Sequence, residues 1–291
     1  MLNALTFDVE EYFHVENLAG LVRPDEWSRL PSRVEASTRR LLDLLDARRV
    51  SATFFVLGWV AERRPALVRE IRARGHEIGC HSHAHRPVHA LRRPEFRADV
   101  RRARQAIEDA AGAPVPGYRA PTFSIVRSSL WALEILAEEG FRYDSSIFPI
   151  HHDRYGIPGA ARFPYRVPVA GGALVEFPIT TLRLGGARVP FSGGGYFRLL
   201  PYPAVRAALG VVNRRERMPA IVYLHPWELD PDQPRLPVAG LARLRHYVNL
   251  HRTAAKLDRL LGDFAFAPAA RVLAGLGFRV GEEAPVTEAA A

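Results

Sequence analysis

Strand-like and helix-like segments alternate along the first half of the chain, and this alternation limits the folds that it can adopt. Apolar, β-branched and aromatic runs predict strands over residues 3–9, 52–57, 77–80 and 141–144. Segments between these runs predict helices, and the links are short. Strands that alternate with helices usually pair in parallel, so the pattern predicts an α/β fold, either a (β/α) barrel or a doubly wound sheet.

Polar residues that could carry chemistry stand where the predicted strands end. They are Asp8, Glu10, His81, Arg119 and Asp144. In (β/α) barrels the carboxyl ends of the strands carry the catalytic residues. This regular placement therefore favours a barrel enzyme.

Three imidazoles lie within five residues, directly after the predicted strand 77–80. His81 and His85 stand four residues apart, a spacing that places them on one face of a helical turn, where they can share a metal ion. A carboxylate from the first strand would complete a three-ligand site with open positions for water. His83 points away from the pair and is not expected to be a ligand. The alternative is that these are ordinary surface or core histidines, but a cluster beside a strand end favours the metal site.

Composition excludes several classes of protein. The single cysteine, Cys80, leaves no intrachain disulfide framework, and 48% apolar with 24% charged residues is ordinary for a globular chain. The formal charge of +9 is carried almost wholly by arginines that alternate with acidic residues in the predicted helices, so no nucleic-acid partner is expected. Neither a signal-peptide pattern nor a membrane-spanning apolar run is found, and a cytoplasmic protein is expected.

The alternation breaks over residues 150–200, which are rich in proline and glycine, and returns with a strand over 220–224 that ends at His225. We predict one catalytic domain over residues 1–280, in which residues 150–280 form an irregular extension, followed by a disordered tail over 281–291. The glycine run at 193–195 suits either a close approach of substrate or a tight turn.

Five short motifs, in order across residues 6–226, resemble those of polysaccharide deacetylases of the NodB-homology class, carbohydrate esterase family 4. They are Thr6-Phe7-Asp8, His81-Ser82-x-x-His85, Arg119-Ala120-Pro121, Tyr143-Asp144-Ser145-Ser146 and Leu224-His225-Pro226. The resemblance implies a distorted (β/α) barrel. The subgroup that the chain resembles most is the deacetylases of exopolysaccharide gene clusters, which carry an added C-terminal segment.

The chain departs from the family at Val9, where most members have a second, metal-binding aspartate. Some members place that ligand one residue later, and Glu10 fits this variant. Side chains alternate along a strand, so Asp8 and Glu10 share a face unless the strand ends at Asp8 and a turn swings Glu11 inward. We favour Glu10 as the ligand. Some related amidohydrolases, similar to the metal-free allantoinases, have lost the metal.

The resemblance implies removal of N-acetyl groups from amino sugars, with a role for each motif. The metal, Zn²⁺ in preference to Fe²⁺ or Co²⁺, would be held by Glu10, His81 and His85. The implied roles of the other residues are general base for Asp8, oxyanion contact for the backbone N–H of Thr122, general acid for His225, orientation of Asp8 by a paired Arg119 and Asp144, and sugar stacking or core packing for Tyr196 and Trp227.

The implied partner is an N-acetylated polysaccharide or a lipid-linked glycan precursor. A lipid-linked substrate would place the protein at the inner face of the membrane as a peripheral protein. Two other functions stay open: a metal-free amidohydrolase acting on a small ureide, and a non-catalytic glycan-binding protein. The sequence carries no signal for oligomeric state.

Overall fold

A computed structural model describes residues 1–280 of the chain. The strands are β1 (Leu2–Val9), β2 (Thr53–Val56), β3 (Glu77–Cys80), β4 (Gly117–Tyr118), β5 (Tyr143–Asp144), β6 (Tyr165–Val169), β7 (Gly172–Glu176), β8 (Thr181–Leu184), β9 (Ala187–Pro190), β10 (Ile221–Leu224) and β11 (Ala265–Ala267). The α-helices are α1 (Val34–Arg48), α2 (Gly58–Arg63), α3 (Pro65–Ala73), α4 (Arg93–Ala111), α5 (Trp131–Glu138), α6 (Gly194–Leu199), α7 (Tyr202–Arg214), α8 (Gly240–Tyr247), α9 (Leu250–Asp263) and α10 (Ala269–Gly275).

Nine of these strands form one curved sheet in the order β10-β1-β2-β3-β4-β5-β7-β6, with β11 also paired to β1. All pairs are parallel except β6 with β7, and β8 and β9 form a separate hairpin. The free edge of β10 meets the chain that follows β7, because Ile221 N–H donates to Thr180 Oγ1 (2.8 Å) and Tyr223 N–H donates to the Ser192 carbonyl (3.0 Å). These bonds join β10 to the segment that follows β7, and the curved sheet forms a distorted barrel, which confirms the predicted fold class.

The core has two layers because the side chains of a strand alternate between its faces. Phe54 on β2 packs with Phe7 on β1 in the layer that also holds the buried leucines of α1. Phe55 packs with Tyr143 and Tyr223 in a second cluster. Residues 3–9 of β1 are all buried, as expected for a parallel strand covered on both faces.

The strands predicted over the first half of the chain are confirmed to within a few residues, and the second half is more regular than expected. Residues 150–280 supply β6, β7, β10 and β11 to the main sheet, so the extension is part of the barrel. The hairpin β8–β9 and the short helix α6 had no clear sequence signal. The tail prediction for residues 281–291 lies outside the described residues.

Candidate active site

The carboxyl ends of β1, β3, β4 and β10 deliver Asp8, His81, Arg119 and His225 to one edge of the barrel. Asp8, His81 and His225 line a pocket of about 330 Å³, whose wall on the other side comes from α6, α8 and the loop that follows residue 150. The lining includes Asp8, Glu10, His81, His85, Thr122, Tyr196, His225 and Trp227. Except for the two residues of the predicted orienting pair, every residue that the sequence suggested for the site therefore contacts this pocket.

Glu10, His81 and His85 lie together at the bottom of the pocket. One potential ligand atom from each lies within 4.8 Å of the others, and all three side chains are buried. Glu10 Oε2 lies 2.6 Å from His85 Nε2 and 3.9 Å from His81 Nε2. His81 Nδ1 lies 2.9 Å from the Arg119 carbonyl, to which it can only donate. Burial lowers the pKa of His81 to about 4, so its Nε2 carries a lone pair at neutral pH.

Glu10 and Glu11 point in opposite directions, although β1 itself ends at Val9. Glu11 turns away from the pocket toward the start of α1, where its carboxylate accepts bonds from the Ser32 hydroxyl and from the Arg33 backbone N–H (2.9 Å). Glu11 thus satisfies a backbone donor that the helix leaves free at its N-terminus. The alternation of the strand continues far enough to place Glu10, and not Glu11, beside the two imidazoles.

The loop that carries the histidines has an unusual backbone. Ser82 and His85 both have positive φ (67° and 50°), a conformation that costs free energy for residues other than glycine. Asp99 on α4 holds this loop, because its carboxylate accepts from the Ser82 hydroxyl and from the backbone N–H groups of His83 (2.8 Å) and Ala84 (3.1 Å). His83 Nε2 lies 3.0 Å from Glu62, outside the cluster.

Arg119 is completely buried and holds Asp8. Its Nη1 donates to Asp8 Oδ1 (2.7 Å) and to Thr6 Oγ1 (2.8 Å). Its Nε and Nη2 donate to the carbonyl (3.2 Å) and hydroxyl (3.0 Å) of Ser145, and its guanidinium lies over the Phe55 ring at 4.3 Å. With one oxygen of Asp8 fixed by this ion pair, the other lies 3.9 Å from His225 Nε2.

The predicted pairing of Arg119 with Asp144 is wrong. Asp144 accepts hydrogen bonds from Ser146 Oγ (2.5 Å) and Ser146 N (3.2 Å), and it faces Glu176 on β7. Alternation explains this placement, because Asp144 ends a strand and Ser145, the next residue, is the one whose side chain reaches Arg119.

His225 is linked to a second buried ion pair. Its Nδ1 lies 2.7 Å from Glu228 Oε1, and Arg198 on α6 donates from Nε to the other oxygen of Glu228. Burial alone would lower the pKa of His225, but the hydrogen bond to Glu228 and the charges of Glu10 and Asp8 raise it to about 9. The imidazole is therefore protonated at neutral pH, with Nε2 directed toward Glu10 Oε1 (3.7 Å) and Asp8.

The turn after Arg119 has a strained backbone. Thr122 and Phe123 have positive φ (56° and 50°), and both line the pocket. A positive φ costs free energy in these residues and persists only where the surrounding structure enforces it. Such residues are common at functional sites. This turn lines the same pocket as Asp8 and the group of Glu10, His81 and His85.

The two predicted sugar-stacking residues differ in exposure. Trp227 is buried between the rings of His225 (5.1 Å) and His246 (4.6 Å), and its Nε1 donates to Glu10 Oε1 (3.2 Å). Tyr196 is half-buried on α6. The glycine run before it packs on β10, where a Cβ on Gly193 would lie only 2.2 Å from the Tyr223 carbonyl. The run therefore serves close packing as well as lining the pocket.

Sequence reasoning missed Asp99, Glu228, Arg198 and Glu176. A signal existed for Glu228, since Pro at the first position and an acid three residues after His225 are typical of a helix start. Asp99 and Arg198 carried no such signal, because each acts on an element distant in sequence.

Comparison with known proteins agrees with this geometry. Residues 4–143 match the family described as polysaccharide deacetylase, and residues 145–274 match a domain of unknown function (DUF3473). Fold and site define an α/β barrel of the NodB-homology class. The match of residues 4–143 confirms the resemblance to the polysaccharide deacetylase family.

Curated relatives match over part of their length. A peptidoglycan-N-acetylglucosamine deacetylase of Bacillus cereus is 34% identical over 98 residues, which are 33% of this chain and 36% of the relative. A chitooligosaccharide deacetylase of Sinorhizobium fredii is 41% identical over 85 residues, 29% of this chain and 40% of the relative. The chain thus spans less than half the length of these relatives.

Solved structures share the fold at low identity. A protein of Mycobacterium smegmatis assigned as a polysaccharide deacetylase has a TM-score of 0.62 at 21% identity, with 95% of this chain and 90% of that chain covered. The Puue allantoinase has a TM-score of 0.59 at 16% identity, with 93% and 88% covered. In residues 1–280, no helix has both the length and the apolar character needed to cross a membrane.

Proposed function

We propose that the protein is a metal-dependent hydrolase that removes N-acetyl groups from amino sugars of a polysaccharide or its precursor. The observation that carries this proposal is the grouping of Glu10, His81 and His85 in one pocket with Asp8 and His225. The family match and the deacetylase activities named for its relatives support it. We also propose that residues 1–280 act as one catalytic domain, because strands from both halves share a sheet.

The residues present fit a divalent metal. Glu10 Oε2 is buried and, among the described residues, has no hydrogen-bond partner other than the His85 imidazole, whose Nε2 lies 2.6 Å away. Two imidazole Nε2 atoms face it, and His81 is oriented from behind by a carbonyl, as metal-ligating histidines commonly are. Two imidazoles and a carboxylate suit Zn²⁺ first. When bound, such an ion would polarise the amide carbonyl and lower the pKa of a bound water.

The other residues then divide the proton transfers. Asp8, held by Arg119, takes a proton from the attacking water through its free oxygen. The backbone N–H of Thr122 faces the oxygen of the reacting carbonyl, where negative charge develops. His225 gives its proton to the leaving nitrogen, which must be protonated because an amide anion leaves poorly. Glu228 keeps that proton on His225 until the C–N bond breaks.

Acetate release from N-acetylated oligosaccharides, with and without added Zn²⁺, tests this proposal. Purified protein should hold about one ion per chain, and chelation should abolish turnover. Glu10→Gln should lose the ion, because it removes the single anionic ligand, whereas Glu11→Gln is the matched control and should keep it. Full occupancy in Glu10→Gln would contradict the ligand set. An active metal-free protein would favour a ureide-type amidohydrolase, and an inactive metal-loaded one a glycan-binding protein.

We further propose that the glycan is carried on a lipid at the inner membrane face. Leu199, Leu241 and Leu244 line the mouth of the pocket and are 57%, 58% and 53% exposed, with Arg245 beside them. Apolar side chains flanked by basic ones suit an interfacial position. Replacing Leu241 and Leu244 by serine should reduce co-sedimentation with anionic vesicles, whereas Leu184→Ser, an exposed leucine on β8, should not. Equal binding by both variants would contradict the idea.

A further inference from the structure

Two carboxyl groups are buried side by side behind the Arg119 motif. Asp144 at the end of β5 and Glu176 at the end of β7 are direct partners in the strand register, and both side chains are fully buried. They lie within hydrogen-bonding range of each other. Glu176 Oε2 has no other donor among the described residues. Two adjacent carboxylates cannot both be ionised in such a place, so the pair holds one proton.

This carboxyl pair fixes the segment that follows β5. Ser146 donates to Asp144 from both its hydroxyl and its backbone N–H. Ile147 N–H donates to Glu176 Oε1 (3.0 Å). Burial and the neighbouring Asp144 raise the pKa of Glu176 well above its ordinary value, which agrees with a proton shared at neutral pH. The segment is thus held by one carboxyl group on each of two adjacent strands.

The same segment holds the residues that orient Asp8. Ser146 Oγ accepts from the backbone N–H of Ala120 (2.8 Å), the residue before the strained Thr122 turn. Ser145 accepts two bonds from Arg119 and donates to the Phe177 carbonyl (2.9 Å), next to Glu176. The end of β7 is therefore connected to Asp8 through Ser145 and Arg119, and to the turn through Ser146 and Ala120.

We propose that Glu176 is a positioning residue for the deacetylation reaction: it shares one proton with Asp144, and the pair fixes Ser145 and Ser146, which in turn align Arg119 with Asp8. This inference rests on the proposed function and goes beyond it, because Glu176 lies outside the pocket and comes from the part of the chain that matches a domain of unknown function. It also gives that second part of the chain a role in the alignment of the base.

The test compares kcat, KM, metal content and unfolding free energy of wild type, Glu176→Gln, Glu176→Met and Ser146→Ala. Glutamine can donate to Asp144 and accept from Ile147 N–H, so Glu176→Gln should keep kcat near wild type. Methionine removes the carboxyl that shares the proton with Asp144 and accepts from Ile147 N–H, and Ser146→Ala cuts the link to Ala120. Each substitution should lower kcat by roughly 10-fold or more, because the loss of a residue that orients a catalytic group commonly has an effect of this size. KM and metal content should stay unchanged.

Glu77→Met is the matched control. Glu77 on β3 is a carboxylate that accepts from Tyr143 Oη (2.8 Å) and Thr53 Oγ1 (2.6 Å) at the opposite end of the barrel. Its loss should reduce stability without changing kcat. The losses from Glu176→Met and Ser146→Ala should be less than additive in log kcat in the double variant, because both act on one connection.

Infrared spectroscopy tests the proton directly: at neutral pH the carbonyl stretch of a protonated carboxyl should be stronger in wild type than in Glu176→Gln, and the difference spectrum separates this pair from other buried carboxyls. Wild-type kcat in Glu176→Met, or in Ser146→Ala if the methionine variant does not fold, would overturn the positioning role alone. An infrared band of equal strength in wild type and Glu176→Gln would overturn the shared proton. A wild-type protein that releases no acetate from any substrate would overturn the proposed function, and the positioning role with it.

Discussion

Two buried arginines flank the pocket, and they differ in what stands between them and the site. On the base side, Arg119 donates directly to Asp8. On the acid side, Arg198 donates to Glu228, and Glu228 in turn contacts His225. A base must be an anion, so a guanidinium can touch it. A general acid must carry a proton, so a guanidinium in contact would repel it, and a carboxylate has to lie between them.

Arg119 and Arg198 also differ in their remaining hydrogen-bond partners. Arg119 finds its remaining partners on Thr6 and Ser145, in the part of the chain that surrounds the β1–β5 strands. Arg198 donates to the carbonyls of Arg245, His246 and Val248 at the end of α8. The acid side is therefore fixed by helices of the C-terminal half, whose residues also line the mouth of the pocket.

Asp8→Asn should give the largest loss of activity. The amide keeps an oxygen for Arg119 but cannot accept a proton from water, so kcat should fall by roughly 10²–10⁴-fold while the fold persists. Acetate release and elemental analysis of the same preparation check it. Metal content near wild type is the control, and a loss of the ion would mean that Asp8 is a ligand and that the base side has another function.

His225→Ala should cost nearly as much on an amide and less on an ester. General acid catalysis is worth roughly 10²–10⁴-fold, but an alkoxide leaves without full protonation, so the ester depends less on the acid. Comparing kcat on an N-acetyl and an O-acetyl substrate measures the difference. Equal losses on both would contradict the assignment of His225 to the acid side.

Glu228→Gln should have an intermediate effect. It keeps the size of the side chain but removes the charge that holds a proton on His225, and kcat should fall by roughly 10–100-fold. Glu62→Gln is the matched control, because Glu62 also contacts a histidine, His83, outside the pocket. Acetate release is measured for both variants. A similarly small loss of kcat in each would contradict the prediction that Glu228 keeps His225 protonated for catalysis.

Much of the base side could be predicted from the sequence, because its residues follow strands of the regular first half. The direction of Glu10 followed from alternation along β1, and the histidine spacing placed His81 and His85 together. The acid side was harder to predict. Arg198 lies on a six-residue helix after a glycine run, and its contacts depend on how α6 and α8 pack, which no local pattern records.

Asp144 shows the limit of the resemblance itself. The fourth motif suggested Asp144 as a partner of Arg119, but the Asp144 side chain turns to Glu176 across the sheet instead. Which side of a two-residue strand faces the barrel cannot be read from two residues, because alternation needs a longer run to show its phase. The partner strand β7, which decides the matter, stands some thirty residues later.

The smallest expected effect concerns stability in acid. Burial alone would raise the pKa of Glu228, but Arg198 and His225 lower it below its ordinary value in the folded chain. As the pH falls, the unfolded chain therefore binds this proton first. The stabilisation is present above a pH of about 4.5 and is lost as the pH falls through the folded pKa. Wild type should thus lose more unfolding free energy than Glu228→Gln between pH 6 and pH 3.

Other groups also titrate in this range. Comparing wild type with Glu228→Gln cancels the contribution of groups on which the charge of Glu228 does not act. Burial lowers the pKa of His76 to about 4, so this histidine destabilises the folded chain in acid, and it does so equally in wild type and in Glu228→Gln because the charge of Glu228 does not act on it. Urea unfolding at the two pH values measures the loss of unfolding free energy in each protein, and the loss should be larger in wild type. Parallel pH profiles would mean that Arg198 and Glu228 gain nothing from their pairing, and that the acid side serves catalysis at no benefit to the fold.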